Sequence, residues 1–207
     1  YTLILERNYM KLYEKQFVNV SYARRFKYRY TVGASLEYAN RSQLFNNTDY
    51  LFFDRENRRF SDNAPFNYET LTSGFENNKA LITHLSLRAR PWLKFRKYNG
   101  RLIPIYERSP ELRLTYRKGI DALGSDVNFD HLELGIDTDI RLGVRAIIDV
   151  NAEVGKFFGN PTLQFMDYKH FEGNRLEVSP MDVTGSFRML DYYKYSTAQE
   201  YASVLTH

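Results

Sequence analysis

The feature that most constrains this chain is a set of long segments in which apolar and polar residues alternate strictly. In residues 80–91, Leu81, Thr83, Leu85, Leu87 and Ala89 fall on one side, and Ile82, His84, Ser86, Arg88 and Arg90 on the other. Period-two alternation marks a strand whose two faces meet unlike surroundings. Strands of soluble domains run to about five or six residues, whereas crossing a bilayer as part of a barrel takes about nine to eleven. Several segments here reach that length.

Residues 17–24 set Val18, Val20 and Tyr22 against Asn19, Ser21 and Ala23, with a turn expected at Arg24-Arg25-Phe26. Residues 29–38 place Tyr30, Val32, Ala34, Leu36 and Tyr38 on one side. After residues 80–95, Asn99-Gly100 is a hairpin signal, because both residues tolerate positive φ. Pro104 and Pro110 oppose regular central pairing between them. Residues 111–118 alternate Leu112, Leu114 and Tyr116 against Glu111, Arg113, Thr115 and Arg117, and residues 119–129 read as a loop. Two further, less regular strands are expected over residues 184–195 and 200–206.

The longest signal covers residues 132–154, where every even position except Thr138 is aliphatic. Glu133, Asp137, Asp139, Arg141, Arg145, Asp149, Asn151 and Glu153 stand opposite. The stretch is too long for one strand, so a turn lies inside it. Parity is kept across that turn, which requires an odd number of loop residues. Gly143 is its natural centre, with a strand of about ten residues on either side. Between residues 40 and 79 the pattern collapses into Asn, Asp, Arg and Phe. A loop that long is unusual in a compact domain and ordinary on the extracellular side of a barrel, where it is placed.

Alternation does not itself say whether the apolar face is a soluble core or a lipid surface. Strand length, short turns at one end with long loops at the other, and dense charge of both signs on the second face favour lipid. The expected fold is an all-β, antiparallel transmembrane β-barrel, of which residues 1–207 supply about seven or eight strands. A lumen lined by Arg113, Arg117, Glu133, Asp137, Arg141, Arg145, Asp149 and Glu153 can neutralise itself by cross-strand pairing. Turned to the bilayer midplane, an Arg costs roughly 2–4 kcal/mol. Leu134, Ile136, Ile148 and Val150 are therefore expected to meet lipid, and Glu133, Asp137 and Asp149 to face the lumen.

Composition removes several alternatives. No apolar run approaches the roughly 18 residues of a spanning helix, so a helical membrane protein is excluded. The 16% aromatic content, with 17 Tyr and 15 Phe, suits interfacial girdles and equally suits a soluble all-β glycan-binding domain, which stays the alternative. Without Cys there is no disulfide framework and no thiolate metal site. The net charge of +4 is dispersed among 25 acids, unlike a nucleic-acid footprint, so no nucleic-acid partner is expected. The aromatic and basic run Trp92-Leu-Lys-Phe-Arg-Lys-Tyr98 reads as interface anchoring rather than base stacking.

His84, His131, His170 and His207 lack a spacing that sets two ligands on one face. Asp167 and His170 read as a hydrogen-bonded turn, and Asp137 and Asp139 as partners of Arg141 and Arg145 rather than a catalytic acid pair. There is no nucleophile–base pair and no glycine-rich phosphate loop. No catalytic, cofactor or metal residue is expected, and the protein is expected not to be an enzyme. Because the sequence opens at Tyr1 in mid-pattern and stops at His207 within a strand signal, it is expected to be part of a longer exported protein.

Three segments carry a resemblance: Pro110-Glu-Leu-Arg-Leu-Thr-Tyr-Arg-Lys-Gly-Ile120, Asp167-Tyr-Lys-His-Phe-Glu-Gly-Asn174 and Phe187-Arg-Met-Leu-Asp-Tyr-Tyr-Lys-Tyr-Ser-Thr197. Together they resemble a family of Bacteroidota outer-membrane proteins of uncharacterised role. In that family an N-terminal carboxypeptidase-regulatory-like sandwich, expected outside this sequence, precedes a C-terminal barrel. The family is distantly similar to barrels that assemble or secrete outer-membrane proteins, whose Arg-Gly-aromatic loop motif is not present in this stretch. The resemblance implies an outer-membrane location, a bilayer and lipopolysaccharide environment, and other outer-membrane proteins as partners. It implies a scaffold or assembly subunit, or a transporter.

Overall fold

The computed structural model describes residues 11–45, 63–70, 74–106, 109–143, 146–174, 186–188 and 190–207. Its strands are β1 (Tyr13–Phe26), β2 (Tyr30–Gln43), β3 (Asn78–Ala89), β4 (Lys94–Tyr98), β5 (Arg101–Ile105), β6 (Glu111–Gly119), β7 (Asn128–Leu142), β8 (Ala146–Thr162), β9 (Gly173–Asn174), β10 (Phe187–Arg188) and β11 (Glu200–Thr206). Seven of them form one antiparallel sheet in the order β1-β2-β3-β6-β7-β8-β11. Strands β4 and β5 make a separate hairpin, and β9 and β10 a two-residue parallel ladder. The described residues contain no α-helix; a 3-10 turn covers Phe165–Asp167. The fold is all-β. Among the described residues the sheet does not close: β1 and β11 each have a neighbour on one side only.

The register joins the alternating segments into two unlike surfaces. Val32 lies opposite Leu87, Leu87 opposite Leu114, Leu114 opposite Leu134, Leu134 opposite Val154 and Val154 opposite Ala202. The next row runs Phe26, Tyr30, Ala89, Leu112, Ile136, Ala152 and Val204. The other surface, called inner below, carries rows such as Ser35, His84, Arg117, His131 and Phe157. Each surface is continuous across the sheet.

Burial is the reverse of a soluble sheet's. On β2 the apolar residues Val32, Ala34 and Leu36 are exposed, while Thr31, Gly33, Ser35 and Glu37 between them are sheltered. Strand β11 repeats this, with Ala202 and Val204 exposed and Tyr201 and Ser203 sheltered. Leu134 is 51% exposed and His131, three residues before it, 2%. The only hydrophobic cluster among the buried described residues lies at one end of the inner surface: Ala80, Val127, Phe129 and Phe157, joined by Ile82 and Leu163.

The strands are longer than expected, 15 residues in β7 and 17 in β8. Leu142 pairs with Ala146, so the loop has an odd number of residues, as parity demands. Gly143 is the first loop residue and not the centre; it takes φ 71, which favours glycine. The two residues after it, Arg145 among them, lie outside the described residues. The expected turn at Arg24-Arg25-Phe26 is strand, and the chain turns over Lys27, Tyr28 and Arg29, with Lys27 at φ 47 and Tyr28 at φ 62. Successive arginines alternate faces as a strand requires, so their charge is no turn signal.

The expected loop over residues 40–79 is shorter at both ends, because β2 continues to Gln43 and β3 begins at Asn78. Arg41 and Asn78 are buried inward-facing polar residues, which a reading keyed to apolar positions takes for loop. Residues 46–62 and 71–73 lie outside the described residues. Of the strand expected over residues 184–195, the described residues 190–195 are not strand, and residue 189 lies outside the described residues. Residues 184 and 185 are outside the described residues; only Phe187–Arg188 pairs, and residues 192–195 are a turn with Tyr193 at φ 65. The Asn99-Gly100 turn closes the β4–β5 hairpin as expected. Pro104 is tolerated in β5 because a two-stranded ribbon leaves one edge free.

At one end of the sheet stand the turn after β1, the connection over residues 90–110 and the turn after β7. At the other end the chain passes from β2 to β3, from β6 to β7 and from β8 toward β11. The expected asymmetry holds except for the β4–β5 hairpin, which enlarges the connection at the short-turn end.

Candidate functional site

A cap seated on the inner surface is the best-defined polar site. Strand β8 carries a bulge opposite β7 near Asn128 and Asp130, with Gly159 at φ 75. A bulge bends its strand, and Pro161 follows, so the chain leaves the sheet and turns back over the inner surface. The 3-10 turn then presents Asp167, 1% exposed. Arg41 of β2 donates Nη1 to Asp167 Oδ2 at 2.8 Å and Nη2 to Oδ1 at 2.9 Å. This paired-donor geometry is among the stronger charge-assisted hydrogen bonds. Arg117 of β6 donates to the Asp167 backbone carbonyl at 3.3 Å. One short turn thus ties two strands that are not neighbours.

Lys169 repeats the arrangement on β7 and β8, with its Nζ 2.7 Å from both Glu133 and Glu153. The Tyr201 hydroxyl donates to Glu133 Oε2, and His131 Nε2 lies 3.0 Å from the same hydroxyl. The His131 ring stacks on Phe157 with centroids 4.3 Å apart. Gly155 faces inward beneath Tyr201, and a Cβ there would run into the phenol ring. The glycine makes room for the network.

The cap is also tied to itself. Asn67, fully buried, donates Nδ2 to the carbonyls of Tyr193 and Ser196, both at 2.8 Å. Its Oδ1 accepts from the backbone N–H of Glu69 and Thr70. Lys169 and Thr197 exchange backbone hydrogen bonds. His170 Nδ1 lies 2.7 Å from Ser196 Oγ, with Phe165 and Tyr193 edge-on to its ring.

Burial, helped by the nearby Arg117 cation, holds the His170 imidazole at a pKa of about 4 against an ordinary 6.5, although Asp167 pulls the other way. Between those values the unfolded cap takes up a proton that the folded one refuses. The stability His170 contributes is therefore intact above pH 6.5 and is lost as pH falls toward 4, by at most about 3 kcal/mol. Amide protection factors over residues 165–170 and 190–197, taken relative to the intrinsic exchange rate at each pH, are expected to fall between pH 6.5 and 5 in the wild type. His170→Gln should flatten that slope; an unchanged slope in the variant would remove His170 as its cause.

Several inward residues are paired otherwise than expected. Asp137, expected to pair with Arg141 and Arg145, is held by Arg113, Nε to Oδ2 at 2.8 Å, and by the Asn151 amide; Arg145 lies outside the described residues. Asp139 lies directly opposite Asp149. Asp167 and His170 do not bond each other: the acid goes to Arg41 and the imidazole to Ser196. Among the described residues no three His, Asp or Glu side chains gather as metal ligands. Arg41, Asn67, Lys169 and Tyr201 were not singled out from sequence. Tyr201 shares inward parity with Ser203, which is the one signal that could have found it.

A cleft of about 340 Å³ opens beside the cap between aromatic side chains, including Tyr13, Phe75, Phe165, Tyr168 and Tyr193. Burial raises the Tyr168 phenol above its ordinary pKa, so it stays a neutral donor.

The whole chain, residues 1–207, matches a family described as "Family of unknown function (DUF5686) C-terminal domain". No curated protein and no solved structure matches.

Proposed function

The chain belongs to the DUF5686 family, as its C-terminal domain, and from that premise we propose that it is a non-enzymatic outer-membrane β-barrel component, lipid-facing on its apolar surface. The observation that carries the reading is the continuous apolar surface over β2, β3, β6, β7, β8 and β11, on which Val32, Leu36, Leu134, Val154 and Val204 are exposed, opposite a surface that holds most of the sheet's charge. At strand spacings of about 4.8 Å and a rise of about 3.3 Å per residue, such a face measures roughly 30 Å by 30 Å, or about 900 Å². Soluble monomers rarely expose more than a few hundred.

The borders of the face support the same reading. Toward the short-turn end lie Phe26, Tyr28, Tyr30 and Trp92, all exposed. Toward the other end Tyr38 donates its hydroxyl to the Leu123 carbonyl, and Tyr116 to Asp130, beside Lys118. Rings with wet hydroxyls and flanking charges suit a bilayer interface. The cap, pinned by Arg41 and Lys169 over one half of the charged surface, favours a scaffold or assembly subunit over a freely open pore. The aromatic cleft favours a second reading, a glycan-binding domain, which in soluble form would leave the apolar face uncovered.

The full-length protein in detergent is expected to run as a heat-modifiable band. Single cysteines at Leu134, Ile136, Ile148 and Val150 should react with a membrane-confined reagent, and those at Glu133, Asp137 and Asp149 should not. The opposite pattern would invert the assignment, and a monodisperse protein without detergent would end it. Stoichiometric co-purification with outer-membrane proteins in mild detergent supports the scaffold; a lone protein that conducts ions in planar bilayers supports the pore.

A further inference from the structure

The inner surface at the short-turn end, away from the cap, carries an excess of positive charge that the fold does not neutralise. Arg25, Thr31, Arg88 and Arg113 follow one another directly across β1, β2, β3 and β6. Like charges directly opposite one another destabilise a sheet. Arg113 is neutralised by Asp137. Arg25 and Arg88 have no side-chain partner among the described residues, and both point into a recess of about 310 Å³ with the Thr31 side chain between them.

The walls of that recess are fixed. Arg90 is held by Glu111 at 2.9 Å and the Ser109 carbonyl at 2.7 Å, and stacks on Tyr106. Arg29 donates to the carbonyls of Pro91 and Leu93 at 3.2 and 3.3 Å. Two arginines therefore build the site and two are left to act in it. Four cations face one carboxylate, and that carboxylate is already engaged.

We propose that this recess binds a phosphoryl group, supplied by a phosphorylated lipid headgroup or by a soluble phosphate. Its tetrahedral oxygens and double charge suit two convergent guanidinium forks and a hydroxyl better than a flat, singly charged carboxylate does. The site rests on its own geometry and not on the membrane reading.

The test titrates the full-length, detergent-solubilised protein with inorganic pyrophosphate and, separately, with micelles containing phosphatidic acid. Arg25→Gln and Arg88→Gln are each expected to weaken binding about tenfold or more. Both side chains are exposed and unpaired, so the variants should keep the wild type's heat-modifiable mobility. Arg24→Gln removes the same charge one residue away on the opposite surface and should leave binding unchanged. Binding of pyrophosphate assigns a soluble source, and binding of phosphatidic acid micelles alone assigns a lipid. No binding of either probe, or equal weakening by Arg24→Gln and Arg25→Gln, overturns the proposal.

Discussion

Asp167→Ala is expected to cost about 3–5 kcal/mol, because it leaves the Arg41 guanidinium buried without its counter-charge. Arg41 is 3% exposed and both its terminal nitrogens are committed to Asp167. Its Nε is buried without a hydrogen-bond partner, so the guanidinium has little else to fall back on. The same carboxylate accepts from the Gln164 backbone N–H, so the 3-10 turn loosens with it. Removing both partners, as in Arg41→Met with Asp167→Leu, should cost less than Asp167→Ala, since the buried Arg41 charge goes with its partner and only Arg117, 4.0 Å from Asp167, loses a counter-charge. Denaturant unfolding in micelles gives the energies, and limited proteolysis within residues 163–174 reports the cap. A single variant that loses less than about 1 kcal/mol would mean that water reaches Arg41.

The three segments that carried the family resemblance meet in this cap. Arg117 comes from the first, Asp167, Lys169 and His170 from the second, Ser196 and Thr197 from the third. They contact one another through Arg117 to Asp167, His170 to Ser196 and Lys169 to Thr197. The resemblance thus marked a site without describing it. Such a site has no period: its residues lie 126 apart for Arg41 and Asp167 and 26 apart for His170 and Ser196. Loop residues choose partners through the closed fold, and nothing local announces the choice.

The strand faces were legible for the opposite reason. Parity is local: once the apolar positions of β2, β3, β6, β7 and β8 are known, their shared surface follows, and among the registers that keep it, which differ by steps of two residues, the connections between the strands select the observed ones. Strand ends were less legible because the signal is the alternation itself. It fades at Asn40 and Lys79, where the outer surface becomes polar while the backbone stays paired. The pairing of Asp137 with Arg113 was not legible either, since the partner sits on a neighbouring strand and is set by register rather than by spacing along the chain.

Leu134→Arg separates lipid from water by the size of its effect. Leu134 lies near the middle of the apolar surface, between Leu114 and Val154, and is half exposed. If that surface meets water, an arginine there changes stability by no more than about 0.5 kcal/mol, as for other surface sites. If it meets the bilayer core, the charge costs about 2–4 kcal/mol, roughly a 30- to 1000-fold shift in the folding equilibrium. Thr115→Arg is the matched control. It adds the same side chain on the inner surface, directly opposite Glu133, which already takes Lys169 and Tyr201, so any cost there is one of crowding and charge and not of contact with the apolar surroundings. Folding of both variants into lipid vesicles, followed by equilibrium denaturation, is expected to show Leu134→Arg as the damaging one. Near-equal stabilities would place the apolar surface in water and leave its exposure to be explained by a protein partner instead.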